Sequence, residues 1–318
     1  MKPIIIAGNG PSLAQIDYSR LPQDFDVFRC NQFYFEDKYF LGKNIKGVFF
    51  NYFIFKEQFF TLHYLKEKNE YEVEDVYCMN EDIENFLIDD QNFNFIFPSV
   101  KNCHDFLKHL PTFNNLDKFY RFYFHKSPTA GIIMLYTAIA QGYREIYLVG
   151  IDFYRGGGGI DYAFKIENKG NLVQKIPNFK ETSFKSFYHY EDLDIQFIQL
   201  ALSIPEIKIY AISPDSALCE FLPLAQIQNK NQFKIEDKSN GYICDLMQPP
   251  SFCLPSKQKL EDHGIDTKNI YVHDLIQPPR HSFNQKLKDY GISNKNIYIK
   301  AILDLIHLCK AIFFALKN

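Results

Sequence analysis

Short runs of β-branched and aromatic residues alternate with longer apolar or amphipathic stretches up to about residue 212. Residues 3–7 (Pro-Ile-Ile-Ile-Ala) are apolar throughout, the mark of a strand covered on both faces. They stop at Gly8-Asn9-Gly10-Pro11-Ser12-Leu13, which reads as a glycine turn entering a helix with proline in its first turn. A second strand over 25–29 ends at Cys30-Asn31-Gln32, a third over 46–50 ends at Asn51, and 75–79 reads as a fourth. Residues 131–141 form an apolar helix closed by Gly142, and 145–149 follow as a buried strand ending in Gly150-Ile151-Asp152. A helix over 193–204 and a strand over 207–212 complete the series. Buried strands alternating with helices predict an α/β fold with a parallel sheet flanked by helices.

Two regions break the pattern. Residues 155–188 hold four consecutive glycines (156–159), polar stretches and Pro177. A long irregular insert in a compact domain predicts a lid over a site. Beyond about residue 230 the composition shifts and a two-copy repeat emerges. Gln258-Lys259-Leu260 recurs as Gln285-Lys286-Leu287, and Asp245-Leu246-Met247-Gln248-Pro249-Pro250 as Asp274-Leu275-Ile276-Gln277-Pro278-Pro279. Two copies are too few for a self-standing solenoid. The expected organisation is therefore an α/β domain over 1–154 and 189–230, a lid over 155–188, and a C-terminal appendage over 231–318. The last stretch, 299–316, is apolar but carries Asp304, His307 and Lys310, which predicts an amphipathic helix lying on a membrane or on a partner surface.

Composition narrows the function classes. Net charge is −3 and no long basic stretch exists, so no nucleic-acid footprint is present. The seven cysteines are scattered, odd in number and never spaced CxxC, which predicts reduced thiols in a cytoplasmic protein and no zinc site. The apolar run at the N-terminus is too short for a signal peptide or a membrane span, so a cytoplasmic location is expected.

In an open parallel sheet, ligands bind beyond the carboxyl ends of the strands. Those ends deliver Gly8-Asn9-Gly10, Asn31, Asn51 and Gly150-Ile151-Asp152, followed by Tyr154. Asparagine both donates and accepts, so three of them can read a base, a ribose and a sugar without adding charge. Gly8 and Gly10 would let backbone N–H groups approach a ligand, although the third glycine of a dinucleotide fingerprint is missing. His189 follows the lid and precedes a helix rich in acids, a position suited to a neutral base. Asp192-Leu193-Asp194 spells the DxD string of metal-using transferases, but it opens a helix, where capping and the helix dipole account for it. No metal is expected.

These segments closely resemble the lipooligosaccharide sialyltransferases of glycosyltransferase family 42. The resemblance is carried by residues 4–13, Asp17-Tyr18-Ser19-Arg20-Leu21-Pro22, residues 25–39, Gly142-Tyr143-Arg144-Glu145-Ile146-Tyr147, Gly150-Ile151-Asp152-Phe153-Tyr154, Tyr162-Ala163-Phe164, and His189 before Asp194. It implies a single Rossmann-like domain (a GT-A-like variant) and inverting, metal-independent transfer of sialic acid from CMP-sialic acid to a galactose or sialic acid hydroxyl. It implies that Asn9, Asn31 and Asn51 hold the donor, with Thr129 and Gly131 at the head of the central helix. Tyr154 and Tyr162 would bond the departing phosphate and His189 would deprotonate the acceptor. A homotetramer at the inner membrane, acting on a lipooligosaccharide glycan, is the implied setting. One departure stands out: the family's Arg-x-Thr-Ser-Gly is here Ser127-Pro128-Thr129-Ala130-Gly131. It keeps two alternatives open, a transferase for another CMP-linked nonulosonic acid or Kdo, and an inactive CMP-binding relative.

Overall fold

A computed structural model of the chain describes residues 1–79, 90–124, 126–153, 155, 162–164, 189–228, 233–238 and 244–265. Seven of its strands form one parallel sheet: β1 (Ile4–Ala7), β2 (Asp26–Cys30), β4 (Asn44–Asn51), β5 (Glu72–Met79), β6 (Val100–Asn102), β7 (Glu145–Val149) and β8 (Lys208–Ala211). Their order is β6-β5-β4-β2-β1-β7-β8. β1 lies between β2 and β7, with Ala7 beside Arg29 on one side and Val149 on the other. The chain runs outward from β1 through β2, β4, β5 and β6, then returns to add β7 and β8 on the opposite side. The reversal between β1 and β7 is the switch point at which such sheets bind ligands.

Successive strand residues face opposite sides of the sheet. Ile4, Ile6, Phe28, Ile146 and Leu148 face one way and pack with α5 (Ala130–Ala140) and α6 (Glu191–Leu202) through Ile132, Leu135 and Phe197. Ile5, Ala7, Val27, Tyr147 and Val149 face the other way and meet Leu13 and Leu21. α1 (Phe55–Glu67) covers the β4–β5 half with Phe55 and Phe59. Covering on both faces is why these strands read as unbroken apolar runs.

Several elements lie outside the expected series. In α1, Lys56, Glu57, Gln58 and Thr61 are buried alongside the phenylalanines, so the apolar period is blurred. β6 is three residues long, and α4 (Pro111–Phe124) exposes Phe119 and Phe124. The boundary expected at 231 falls inside the packed body. β9 (Glu236–Asp237) pairs antiparallel with β3 (Lys38–Tyr39), and α7 (Lys257–Asp262) sends Leu260 into the α1 core together with Ile265. Isolated apolar anchors in a polar stretch carry no period, so this docking has no signature in the pattern. The second repeat copy and the 299–316 stretch fall outside the described residues. Among the described residues, no helix is long and apolar enough to cross a membrane.

One buried ion pair ties β2 to the turn that follows it. Arg29 Nη2 lies 2.9 Å from Glu36 Oε2, both side chains fully buried, and the guanidinium sits over the Phe33 ring at 5.1 Å. The Tyr71 hydroxyl donates to Glu36 Oε1 at 2.9 Å. Burial raises the Glu36 carboxyl above its ordinary range. Removing one partner leaves the other charge buried and uncompensated, so Arg29→Met is expected to cost about 3–5 kcal/mol. A double variant that adds Glu36→Gln should recover much of that loss, because both charges of the pair are gone. Urea unfolding midpoints of the two proteins check the ordering.

Candidate active site

The turns after β1 and β7 are locked together by backbone. Gly8 N–H donates to the Val149 carbonyl and Gly10 N–H to the Gly150 carbonyl, each at 2.9 Å. A Cβ on Gly8 would lie 2.2 Å from the Gly150 oxygen, and one on Gly150 2.5 Å from the Gly8 oxygen. Gly150 also has φ +65°, a conformation other residues reach only with strain. The expectation that the Gly8 and Gly10 amides cradle a ligand is therefore corrected: both are spent inside the protein, and the glycines serve close packing. Asp152 has a similar task. Its Oδ2 accepts from Ser12 N–H at 3.0 Å, so the start of the short helical turn Pro11–Gln15 is already occupied by a carboxylate. Ser12 Oγ in return accepts from Gly150 N–H at 3.0 Å.

The three asparagines stand at the carboxyl ends of neighbouring strands, β1, β2 and β4. Asn9 Nδ2 donates to the Cys30 carbonyl at 3.0 Å, and Asn31 N–H to the Phe49 carbonyl at 2.8 Å. Asn31 has φ +50°, in the left-handed region that asparagine tolerates better than most residues. Asn9 Oδ1 and Asn31 Oδ1 are buried with no hydrogen-bond partner. An orphaned buried acceptor costs about 1–3 kcal/mol, so these atoms call for donor groups from a ligand. Two flanking residues that the pattern does not single out complete this wall. Gln58, fully buried on α1, accepts from Asn51 N–H through Oε1 at 3.1 Å and has an orphaned Nε2. Asp245 accepts from Gln32 Nε2 at 3.0 Å and from the Tyr34 hydroxyl, bracing the turn beside Asn31. Burial pushes the Asp245 carboxyl up to about 6. Gln58 is hidden among the buried aromatic residues of α1, and Asp245 acts on a segment 213 residues away in sequence.

Across the switch point, the heads of α5 and α6 meet. Gly131 packs under Ile151, where an added Cβ would lie 2.6 Å from Ile151 Cδ1. Thr129, at the head of α5, donates to Asp194 twice, from N–H to Oδ1 at 3.0 Å and from Oγ1 to Oδ2 at 2.6 Å. Asp194 thus fastens Thr129, the residue before α5, rather than capping its own helix, while Asp192 and Asp194 both stand in the first turn of α6, as the helix-dipole reading of the DxD string expects. Asp192 is exposed. His189 is half-buried beside this pair, and its Nδ1 lies 2.8 Å from the Ser127 carbonyl. A carbonyl only accepts, so the neutral ring carries its proton on Nδ1 and its lone pair on Nε2. Burial lowers the affinity of the ring for a proton, the Arg121 charge lowers it further, and the Ser127 bond partly opposes them. The ring is therefore neutral near pH 7.

Tyr162 is half-buried and stacks on Phe164 at 5.6 Å. Between them Ala163 N–H donates to the Asn9 carbonyl at 3.0 Å, which brings residues 162–164 to the β1 turn. Arg155, at the start of that segment, pairs with Glu191 and Glu220. Tyr154 and the rest of 156–188 lie outside the described residues. Among the described residues, no three His, Cys, Asp or Glu side chains converge as metal ligands.

Asp194 gives this region a pH signature. Burial pushes its carboxyl up to about 7 despite the Thr129 bonds, whereas an unfolded carboxyl titrates near ~3.9. Folding takes up a proton between these values. The stabilising contribution is complete below about pH 4 and lost as pH rises through about 7. Asp194→Asn should flatten this decline, measured as urea midpoint against pH; an unchanged slope would place the titration elsewhere.

Comparison with known proteins bears on this site. The profile of the family Alpha-2,3-sialyltransferase (CST-I) matches residues 2–265. The chain is similar to the sialyltransferase CstII from Campylobacter jejuni, solved with the substrate analogue CMP-3FNeuAc: 43% identity, 83% of this chain and 99% of that one, TM-score 0.70. It is similar to CST-II solved with a trisaccharide acceptor and CMP, at 42% identity over 83% of this chain and 99% of that one, TM-score 0.67. It also resembles the monofunctional alpha-2,3-sialyltransferase Cst-I from Campylobacter jejuni, at 38% identity over 86% of this chain and 96% of that one, TM-score 0.68. With a matching parallel sheet, this sequence agreement means that the chain belongs to the alpha-2,3-sialyltransferase (CST-I) family and is a glycosyltransferase.

Proposed function

We propose that the protein transfers sialic acid from CMP-sialic acid to a galactose or sialic acid hydroxyl of a lipooligosaccharide glycan, with inversion and without a metal. The observation that carries this reading is the His189 ring, held by the Ser127 carbonyl through Nδ1 so that Nε2 is the basic nitrogen. The acceptor oxygen attacks C2 of the sialyl group, its proton passes to Nε2, and the C2–O bond breaks with its electron pair leaving on CMP. Attack opposite the leaving phosphate inverts the configuration. The orphaned Asn9 and Asn31 oxygens suit hydroxyl and amine donors of a CMP-sugar. Tyr154 and Tyr162 hydroxyls serve the departing phosphate, a role for which a monophosphate does not demand a divalent ion. CMP and acceptor complexes of the similar structures support the same substrate classes.

The working form is proposed to be a homotetramer in the cytoplasm, held at the inner membrane face by the 299–316 stretch, with 155–188 as its lid. Truncation before Ile299 tests the attachment: the shortened chain should leave the membrane fraction and keep its activity on soluble acceptors.

The activity is tested by incubating the protein with CMP-sialic acid and labelled lactose in EDTA. Sialyl-lactose is the expected product, and activity that disappears in EDTA and returns with Mg²⁺ or Mn²⁺ would overturn metal independence. CMP-Kdo in a parallel reaction separates the alternative donor that the Ser127 and Ala130 positions suggest. His189→Ala should lower kcat by ~10² to 10⁴ with CMP affinity little changed. The acid limb of kcat/KM should lie below the ordinary imidazole value of ~6.5, since the ring binds its proton weakly.

A further inference from the structure

We propose that Arg121 is the positioning residue for the base: its guanidinium fixes Ser127, and Ser127 carries the His189 ring. The inference rests on His189 being the base. Arg121 lies in the last turns of α4 and uses its fork in two directions. Nε donates to Asp117 Oδ1 at 2.7 Å, one turn back, and Nη1 donates to Ser127 Oγ at 2.7 Å. Asp117 is buried, so the guanidinium is anchored before it reaches Ser127. The Ser127 carbonyl then meets His189 Nδ1 at 2.8 Å. Asp117, Arg121, Ser127 and His189 form one unbroken series of hydrogen bonds across three segments.

The link between α4 and α5 needs this support. Residues 126–129 are irregular, and Pro128 has no N–H to offer. The far end is fastened by Asp194 to Thr129. The near end is held by Lys126 N–H on the Tyr120 carbonyl at 3.2 Å and by the Arg121 bond to the Ser127 side chain. Only the second of these acts on the residue whose carbonyl sets the ring. Lys126, the cation next to Ser127 in sequence, instead lies over the Tyr190 ring with Nζ 3.7 Å from its centroid. The positive group at Ser127 thus arrives from one and a half turns earlier on α4. The serine at 127 is the partner that this arrangement requires.

Two variants isolate the linkage without emptying the Asp117 pair. Ser127→Ala removes only the hydroxyl, and Arg121→Lys keeps a cation for Asp117 but lacks a fork that can hold two partners. Each should lower kcat for sialyl transfer about tenfold, the worth of one well-placed hydrogen bond. Donor KM, CMP affinity and melting temperature should stay close to wild type. The double variant should be no slower than the slower single one, because both changes cut the same link. Imidazole ¹⁵N shifts, assigned with His189→Ala, should show the Nδ1–H tautomer in wild type and a mixture in both variants. Unchanged kcat, additive losses or an unchanged tautomer would overturn the role of Arg121. Should the wild type transfer nothing from CMP-sialic acid, the sialyl transfer reading falls, and the tautomer measurement still decides for or against Arg121.

Discussion

The contact between two backbone segments, Gly8 against Gly150, sets the geometry of everything around it. A side chain on either glycine would occupy the other's carbonyl. With none present, the β1 and β7 turns close to hydrogen-bonding distance at the switch point of the sheet. Ser12 then bonds across the join, donating its N–H to Asp152 and accepting from Gly150 N–H, Ile151 is directed onto Gly131, and Asn9 is left facing the carboxyl edge. Because Gly131 lies in the first turn of α5, the same contact determines where Thr129 and Asp194 meet, and so where the His189 segment lies.

Around that floor the protein places polar groups under cover and partners most of them internally. Asp194 and Asp245 are buried carboxylates that each brace a segment carrying a site residue, one at Thr129 and one beside Asn31. Burial raises both carboxyls, which makes their charged forms costlier to keep than those of exposed carboxylates. His189 is shifted the other way by the same desolvation, toward the neutral ring that base chemistry needs. The asparagine oxygens that remain orphaned are a local cost to stability of the kind that binding sites carry.

Six of the seven sheet strands, their parallel arrangement and the residues at the carboxyl edge were legible in the amino-acid sequence. A strand buried on both faces must be apolar at every position, and a chain that ends such strands in Gly-Asn-Gly, Asn-Gln, Asn and Gly-Ile-Asp announces its edge. His189 was singled out by its position before an acidic helix, and Tyr162 by the family resemblance. Tertiary structure alone decided what the individual groups do. Gly8 and Gly10 amides point to Val149 and Gly150, Asp194 fastens Thr129, Asp245 returns from beyond residue 230, and Arg121 reaches Ser127. Each of these is a hydrogen bond whose strength depends on distance and angle between atoms. Spacing along a chain records the period of an element but not which neighbour a side chain will find, so these partners emerge only when the elements pack.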